Sequence, residues 1–364
     1  MTRLNEKEIV NLFVNKLANH SRIKTKYETN HIGHNYSTIL SGNDDVSVIP
    51  FKKKLKRGLK LILKCDMLVE STDAPPAMQP WQIARKSIVS CVSDFSAKGI
   101  EPSYLSLISI GIPPRYSKNE ILELVRGFKI SSKEFGVIFV GGDTNESNEL
   151  IIDCSMVGFS KDDNIPSRSG AAPGDFIVVS GEFGYSASGL MILTEGARAR
   201  GYFKNKAISS VVTPNPQQKF GTSLSKYFSS SIDSSDGLAV SLYELAIQSG
   251  VNFIVDKVPS AKGIERFTKD NEFLDSRELI FHGGEEYHIV ATVPSKNMKR
   301  VKSIAEKLRL SMFVIGKVTK GNGKVFTTSV EKLKKKYVLL DNRGFLHLTN
   351  KEEDKPLGAV KVNM

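Results

Sequence analysis

Cysteine is scarce in this chain. Only Cys65, Cys91 and Cys154 occur among 364 residues, and no Cys-x-x-Cys is present. That excludes a disulfide-built fold and argues against zinc-ribbon or thioredoxin-like chemistry. No apolar run reaches the roughly 20 residues that a membrane-spanning helix needs. The opening residues, Met1-Thr-Arg-Leu-Asn-Glu-Lys-Glu8, are too charged for a secretory leader. Gly-x-x-x-x-Gly-Lys-Ser/Thr is missing, so the chain is not a P-loop enzyme. The protein-kinase His-Arg-Asp segment is missing too. These absences leave a reducing, cytoplasmic enzyme or binding protein as the expectation, with no membrane partner.

Positive charge is plentiful. A net charge of +12 suits a polyanion, either nucleic acid or a phosphorylated small molecule. The densest basic runs, Lys52–Arg57 and Lys332–Lys336, carry no interleaved aromatics. They read as solvated edges and loops, and nucleic acid is not the expected partner. The length allows about two domains with full cores. The polar stretch Ser160–Gly174, with Pro166, Gly170 and Pro173, is the expected boundary. The domains are therefore set at 1–160 and 161–364.

Aspartate recurs at the ends of apolar runs. Asp44 and Asp45 precede an alternating strand that ends at Ile49. Asp66 interrupts a second run, where an unpaired carboxylate would be costly. Pro80 opens a helix reaching about Lys98, with Ile83, Ser87, Ser90, Cys91 and Asp94 along one face. Ser117 and Glu120 form a capping box for a helix expected to turn Ile121, Leu124, Val125 and Phe128 inward. The run Val137–Val140 reads as a strand that Gly141 and Gly142 end, delivering Asp143. A glycine- and serine-rich turn, Gly181–Gly189, resembles an anion cradle. Asp233 and Asp236 flank the start of the helix that carries Leu238, Leu242 and Leu245, with Ser235 or Asp236 as its cap. Convergent carboxylates repel, and a hard divalent cation relieves that. Carboxylates, magnesium and glycine-rich turns together suggest phosphoryl transfer.

The ordered set Asp44-Asp45, Asp66-Met-Leu-Val-Glu70, Val92-Ser-Asp-Phe-Ser-Ala-Lys-Gly99, Gly141-Gly-Asp-Thr144, Ser234-Ser-Asp-Gly-Leu238 and Gly283-Gly-Glu-Glu-Tyr287 resembles the thiamine-monophosphate kinase family. That family sits in the aminoimidazole ribonucleotide synthetase superfamily. The resemblance implies ATP-dependent conversion of thiamine monophosphate to thiamine diphosphate. It implies a two-domain α+β fold: an N-terminal mixed sheet that binds ATP and magnesium and pairs with its copy in a dimeric β-barrel, then a C-terminal α/β layer. By motif, Asp44, Asp66, Asp94, Asp143, Asp233 and Asp236 would be magnesium ligands, with Asp143 and Asp236 nearest the chemistry. Gly142, Arg168 and Ser235 would contact ATP. Glu285 and Phe345 would contact the thiamine moiety.

Three segments depart from the family pattern. Asn43 stands before Asp44-Asp45 in place of glycine, and Lys64-Cys65 replaces two threonines. In the loop after Glu70, Asp73 replaces a substrate-facing histidine. The other reading is a superfamily relative on another substrate, a cyclo-ligase or hydrogenase-maturation enzyme. A C-terminus ending Val362-Asn-Met364 lacks the cysteine that the maturation protein would want.

Overall fold

The computed structural model describes residues 47–50, 59–161, 165–331 and 334–344. The expected opening helix, Asp44, Asp45 and Phe345 lie outside the described residues. A first sheet holds β1 (Ser47–Pro50), β2 (Lys60–Val69), β3 (Tyr104–Ile112), β4 (Val137–Glu146) and β5 (Ile151–Ser160), ordered β1-β2-β5-β3-β4. Only β3 and β4 run parallel; the other pairs are antiparallel. Its helices are α1 (Glu70–Asp73), α2 (Pro80–Ala97) and α3 (Lys118–Phe135).

The second sheet holds β6 (Phe176–Val179), β7 (Ser230–Ser234), β8 (Val251–Val255), β9 (His288–Val293), β10 (Phe313–Lys320), β11 (Val325–Glu331) and β12 (Lys334–Leu339). Its order is β12-β11-β8-β10-β6-β9-β7. The accompanying helices are α4 (Tyr185–Thr194), α5 (Gly201–Val212), α6 (Gln218–Leu224), α7 (Leu238–Ser249), α8 (Ile264–Lys269), α9 (Ser276–Phe281) and α10 (Met298–Leu308). The result is a mixed α/β fold in two parts. Neither sheet closes on itself within the described residues.

Helix α2 joins the two parts. Pro80 supplies its first turn, and Gln79 with Gln82 forms a capping box. From Ile83 to Ala97 every residue but Ser90 is buried, because the first sheet covers one side and β7 with α6 the other. Small residues permit that approach. A Cβ on Gly221 of α6 would fall 1.8 Å from the Ser96 carbonyl oxygen. Ser231 donates its hydroxyl to the Ala97 carbonyl at 2.7 Å, and Lys98 donates to the Ser231 carbonyl at 2.7 Å.

Four local expectations are corrected. Strand β4 does not stop at its glycines but continues to Glu146, because β3 pairs with it on both sides of a bulge at Val140. Gly142 is needed for that pairing: a Cβ there would meet the Ile108 carbonyl oxygen at 1.9 Å. Helix α3 keeps its capping box but turns Ile121 and Val125 to solvent. Gly127 lies against the Trp81 carbonyl oxygen of α2, 2.2 Å from a built Cβ, and this contact sets the buried stripe as Leu124, Gly127, Ser131 and Phe135. The segment after Glu70 begins with the single turn α1, ahead of the prolines. The cap position of α7 falls on Gly237 at φ 113°, not on Ser235 or Asp236.

Candidate active site

One cavity of about 340 Å³ lies where α2 meets both sheets. Strand alternation sends Cys65 and Met67 to the exposed face of β2, and Lys64 and Asp66 into the cavity wall. On α2, Lys86, Ser90 and Asp94 stand four residues apart, which stacks them on one stripe toward the cavity. Asp233 is the penultimate residue of β7, and Ser235 with Asp236 follows in the turn. Arg168 enters from the connecting segment, and Ser186 from the start of α4. The loop after α9 contributes Glu285 and Tyr287. Both are left-handed, at φ 62° and 52°. For non-glycine residues that costs about 1–3 kcal/mol each. The strain is held by two backbone bonds, Glu285 N–H to the Ser235 carbonyl at 2.6 Å and Tyr287 N–H to the Ser234 carbonyl at 3.0 Å.

Opposite charges are paired inside. Lys64 Nζ lies 2.7 Å from Asp94 Oδ2 and 3.6 Å from Asp66 Oδ2. Burial lowers the Lys64 pKa, but Asp94 and Asp66 outweigh it and hold the ammonium well above its ordinary value. Burial pushes the Asp66 carboxyl up, against the pull of Lys64. Lys86 Nζ lies 2.5 Å from Glu285 Oε1 and donates to the Asp73 carbonyl at 2.5 Å. The Asp73 carboxylate is engaged locally, accepting the Val69 N–H at 2.7 Å to close α1. Ser93 donates to Asp233 Oδ2 at 2.7 Å. Asp236 is exposed at the mouth.

Asp143 and Gly142 are not among the lining residues. Across the sheet Asp143 is in register with Ser109, Ser109 with Asp153, and Asp153 with Met67. Asp143 therefore shares the exposed face with Met67, opposite to Asp66, roughly 14 Å away across three strand spacings. His282 is also elsewhere. It donates Nδ1 to the Arg343 carbonyl at 2.8 Å.

Among known sequences, the family model described as AIR synthase related protein, N-terminal domain, matches residues 43–160, and the C-terminal model matches residues 172–328. The thiamine-monophosphate kinase of Nitrosopumilus maritimus is 36% identical over 347 residues, covering 95% of this chain and 99% of that protein. The chain belongs to the thiamine-monophosphate kinase family. The thiamine-monophosphate kinase of Pyrococcus horikoshii is 29% identical, covering 96% of this chain and 97% of that protein. Among solved structures, AaThiL in complex with AMPPCP and TMP superposes with a TM-score of 0.75 at 25% identity, covering 96% of this chain and 99% of that one.

Two groups at or beside this cavity escaped the sequence reading. Lys86 looked like an ordinary surface lysine, though its spacing from Ser90 and Asp94 could have marked it. Glu286 gave no signal beside Glu285. It is buried and accepts the Gly184 and Ser186 N–H groups at 2.7 and 3.0 Å, pinning the glycine-rich turn. Burial pushes its carboxyl up to about 7. His288 lies beside it, Nε2 to Oε2 3.9 Å, and burial pushes the imidazole down to about 4.

These two shifts set opposite pH slopes. The Glu286 contribution is full below the unfolded value of 4.5 and is lost as pH rises through about 7. The His288 contribution is gained as pH rises from about 4 through 6.5. Glu286→Gln removes the first slope and keeps an acceptor oxygen for the turn. The melting temperature of the variant, relative to the unmodified chain, is expected to climb between about pH 5 and about pH 8. A constant difference over that range would show that Glu286 does not hold a raised pKa.

Proposed function

We propose that this cavity is where the chain transfers the γ-phosphoryl group of ATP to thiamine monophosphate, releasing thiamine diphosphate and ADP. The observation that carries the reading is the convergence of Asp66, Asp94, Asp233 and Asp236 with Arg168, Ser235 and Glu285 around one cavity, in a chain of this family. A phosphate oxygen of thiamine monophosphate attacks the γ-phosphorus in line, a new P–O bond forms, and the bond to ADP breaks. A phosphomonoester has its second pKa at about 6, so the attacking oxygen needs no strong base. The cavity accordingly offers carboxylates and cations rather than a histidine dyad.

The donor chemistry suits magnesium, which takes oxygen ligands and is commonly held by one or two carboxylates plus substrate phosphates and waters. These aspartates share the cavity, but no three candidate ligand side chains among the described residues come close enough to hold one ion together, and that mode of binding does not require it. Asp233 and Asp236 are the proposed holders, with Asp66 and Asp94 lining the same cavity and Asp44 outside the described residues. Bound there, magnesium would neutralise charge on the transferring phosphoryl group. Arg168 and Ser235 are proposed to hold ATP phosphates. Glu285, oriented by Lys86, faces the thiamine moiety, with Phe345 proposed beyond the described residues. Asp73 shapes this wall through its carbonyl on Lys86.

A homodimer is part of the proposal, as is the division at 160/161. Met67, Leu107, Ile138, Val140 and Phe159 leave the outer face of the first sheet apolar and open. Two such faces closing into a barrel would bury them. A two-fold axis along the strands would set the β4 edge of one copy over the β1–β2 edge of the other, where Met67 rims the cavity. Asp143 and Gly142 would then serve the neighbouring copy. Cytoplasmic residence fits three free cysteines and the lack of any membrane-length helix among the described residues.

ADP release with magnesium and ATP tests the reading. Thiamine monophosphate is expected to support turnover and thiamine is not, and a chelator should stop the reaction. Equal rates with both acceptors would overturn it.

A further inference from the structure

Lys64 stands where two carboxylates meet. Its ammonium is 2.7 Å from Asp94 Oδ2 and 3.6 Å from Asp66 Oδ2, on a side chain only 22% exposed. All three groups line the cavity. The point between two hard oxygen donors is where a divalent cation would bind, at about 2.1 Å from each oxygen for magnesium. The ammonium already fills that space. It also places a positive charge between two neighbouring carboxylates.

We propose that the Lys64 ammonium is a built-in cation that replaces one divalent ion between Asp66 and Asp94. The chain then loads one ion fewer than the same cavity would hold with a neutral residue at position 64. This rests on the phosphoryl-transfer reading of the cavity. Its consequence is a division of labour across the site. The Asp66–Asp94 wall keeps a fixed charge that does not vary with free magnesium. The Asp233–Asp236 wall is left to take the ion that arrives with nucleotide.

The test counts ions rather than turnover. Mn²⁺ replaces Mg²⁺, AMPPCP is saturating, and bound Mn²⁺ per chain is read by paramagnetic resonance. Lys64→Met is expected to bind one more Mn²⁺ than the unmodified chain, and its melting temperature should rise further on Mn²⁺ addition. Lys64→Arg keeps the charge and should match the unmodified count. Lys64→Met combined with Asp94→Asn removes one wall of the new site and should return to that count. Equal counts in Lys64→Met and the unmodified chain overturn the proposal. If Lys64→Met unfolds without metal, Mn²⁺ should restore its circular dichroism spectrum, and failure to do so overturns it equally. Turnover of the unmodified chain with ATP and thiamine monophosphate is scored separately. Its absence would sink the phosphoryl-transfer reading and leave the ion counts standing.

Discussion

Asp236→Asn is expected to lower kcat by about 10²–10³-fold, the loss seen when one electrostatic partner of a transition state is removed. The same substitution should change folding stability by less than about 0.5 kcal/mol. The separation arises from where the residue sits. Asp236 lines the cavity but is exposed, so exchanging its carboxylate for an amide of the same shape opens no void and buries no new charge. The start of α7 does not depend on it either, because Gly237 holds the cap position. Asn would in any case serve as well as Asp near a helix start. A purely structural role therefore predicts no change in either quantity. A ligand role predicts a collapse of rate with thermal stability intact, since magnesium needs an anionic oxygen and the amide oxygen supplies a weaker one. Near-normal kcat at saturating magnesium and ATP would remove Asp236 from the proposed ligands.

Periodicity within single elements was readable from sequence. Asp66 alternates out of an apolar strand, Asp94 lies on a helix stripe, and Asp233 lies near the end of a strand, and all three reach one cavity. Long-range packing was not readable. Lys86 has the polarity of a solvated residue, and only the seating of α2 between two parts of the chain turns it inward. The inward face of α3 was misjudged because Gly127 against Trp81, not hydrophobicity, sets the rotation. Strand β4 was cut short because two glycines usually punctuate a strand. Here the close approach of Ile108 requires Gly142 and the ladder runs on. Register then decides which face a side chain takes, and one slip inverts it. That is why Asp143, an expected magnesium ligand, emerges on the face away from Asp66.

This position of Asp143 makes a mixed dimer informative. Asp143→Asn alone should cut turnover by about the same 10²–10³-fold if its carboxylate serves a phosphate or ion site. Stability should hold, because Asp143 is exposed and the bond its carboxylate accepts from the Thr144 N–H at 2.9 Å can be kept by an Asn oxygen. The single variant does not reveal which copy is served. Co-expression of Asp143→Asn and Asp236→Asn chains under separate tags, with purification of the mixed species, does. If Asp143 acts across the dimer, one of the two cavities in the mixed species has an intact Asp236 from its own chain and an intact Asp143 from the other. Activity should return toward half that of the unmodified dimer. If Asp143 acts within its own chain, each cavity carries one lesion and the mixed species stays as slow as its parents. The register ladder from Asp143 to Met67 favours the first outcome, because a single sheet cannot turn one residue to both of its faces. A mixed species no faster than its parents would refute the crossed arrangement. Failure of the two tagged chains to co-purify would refute the homodimer on which it depends.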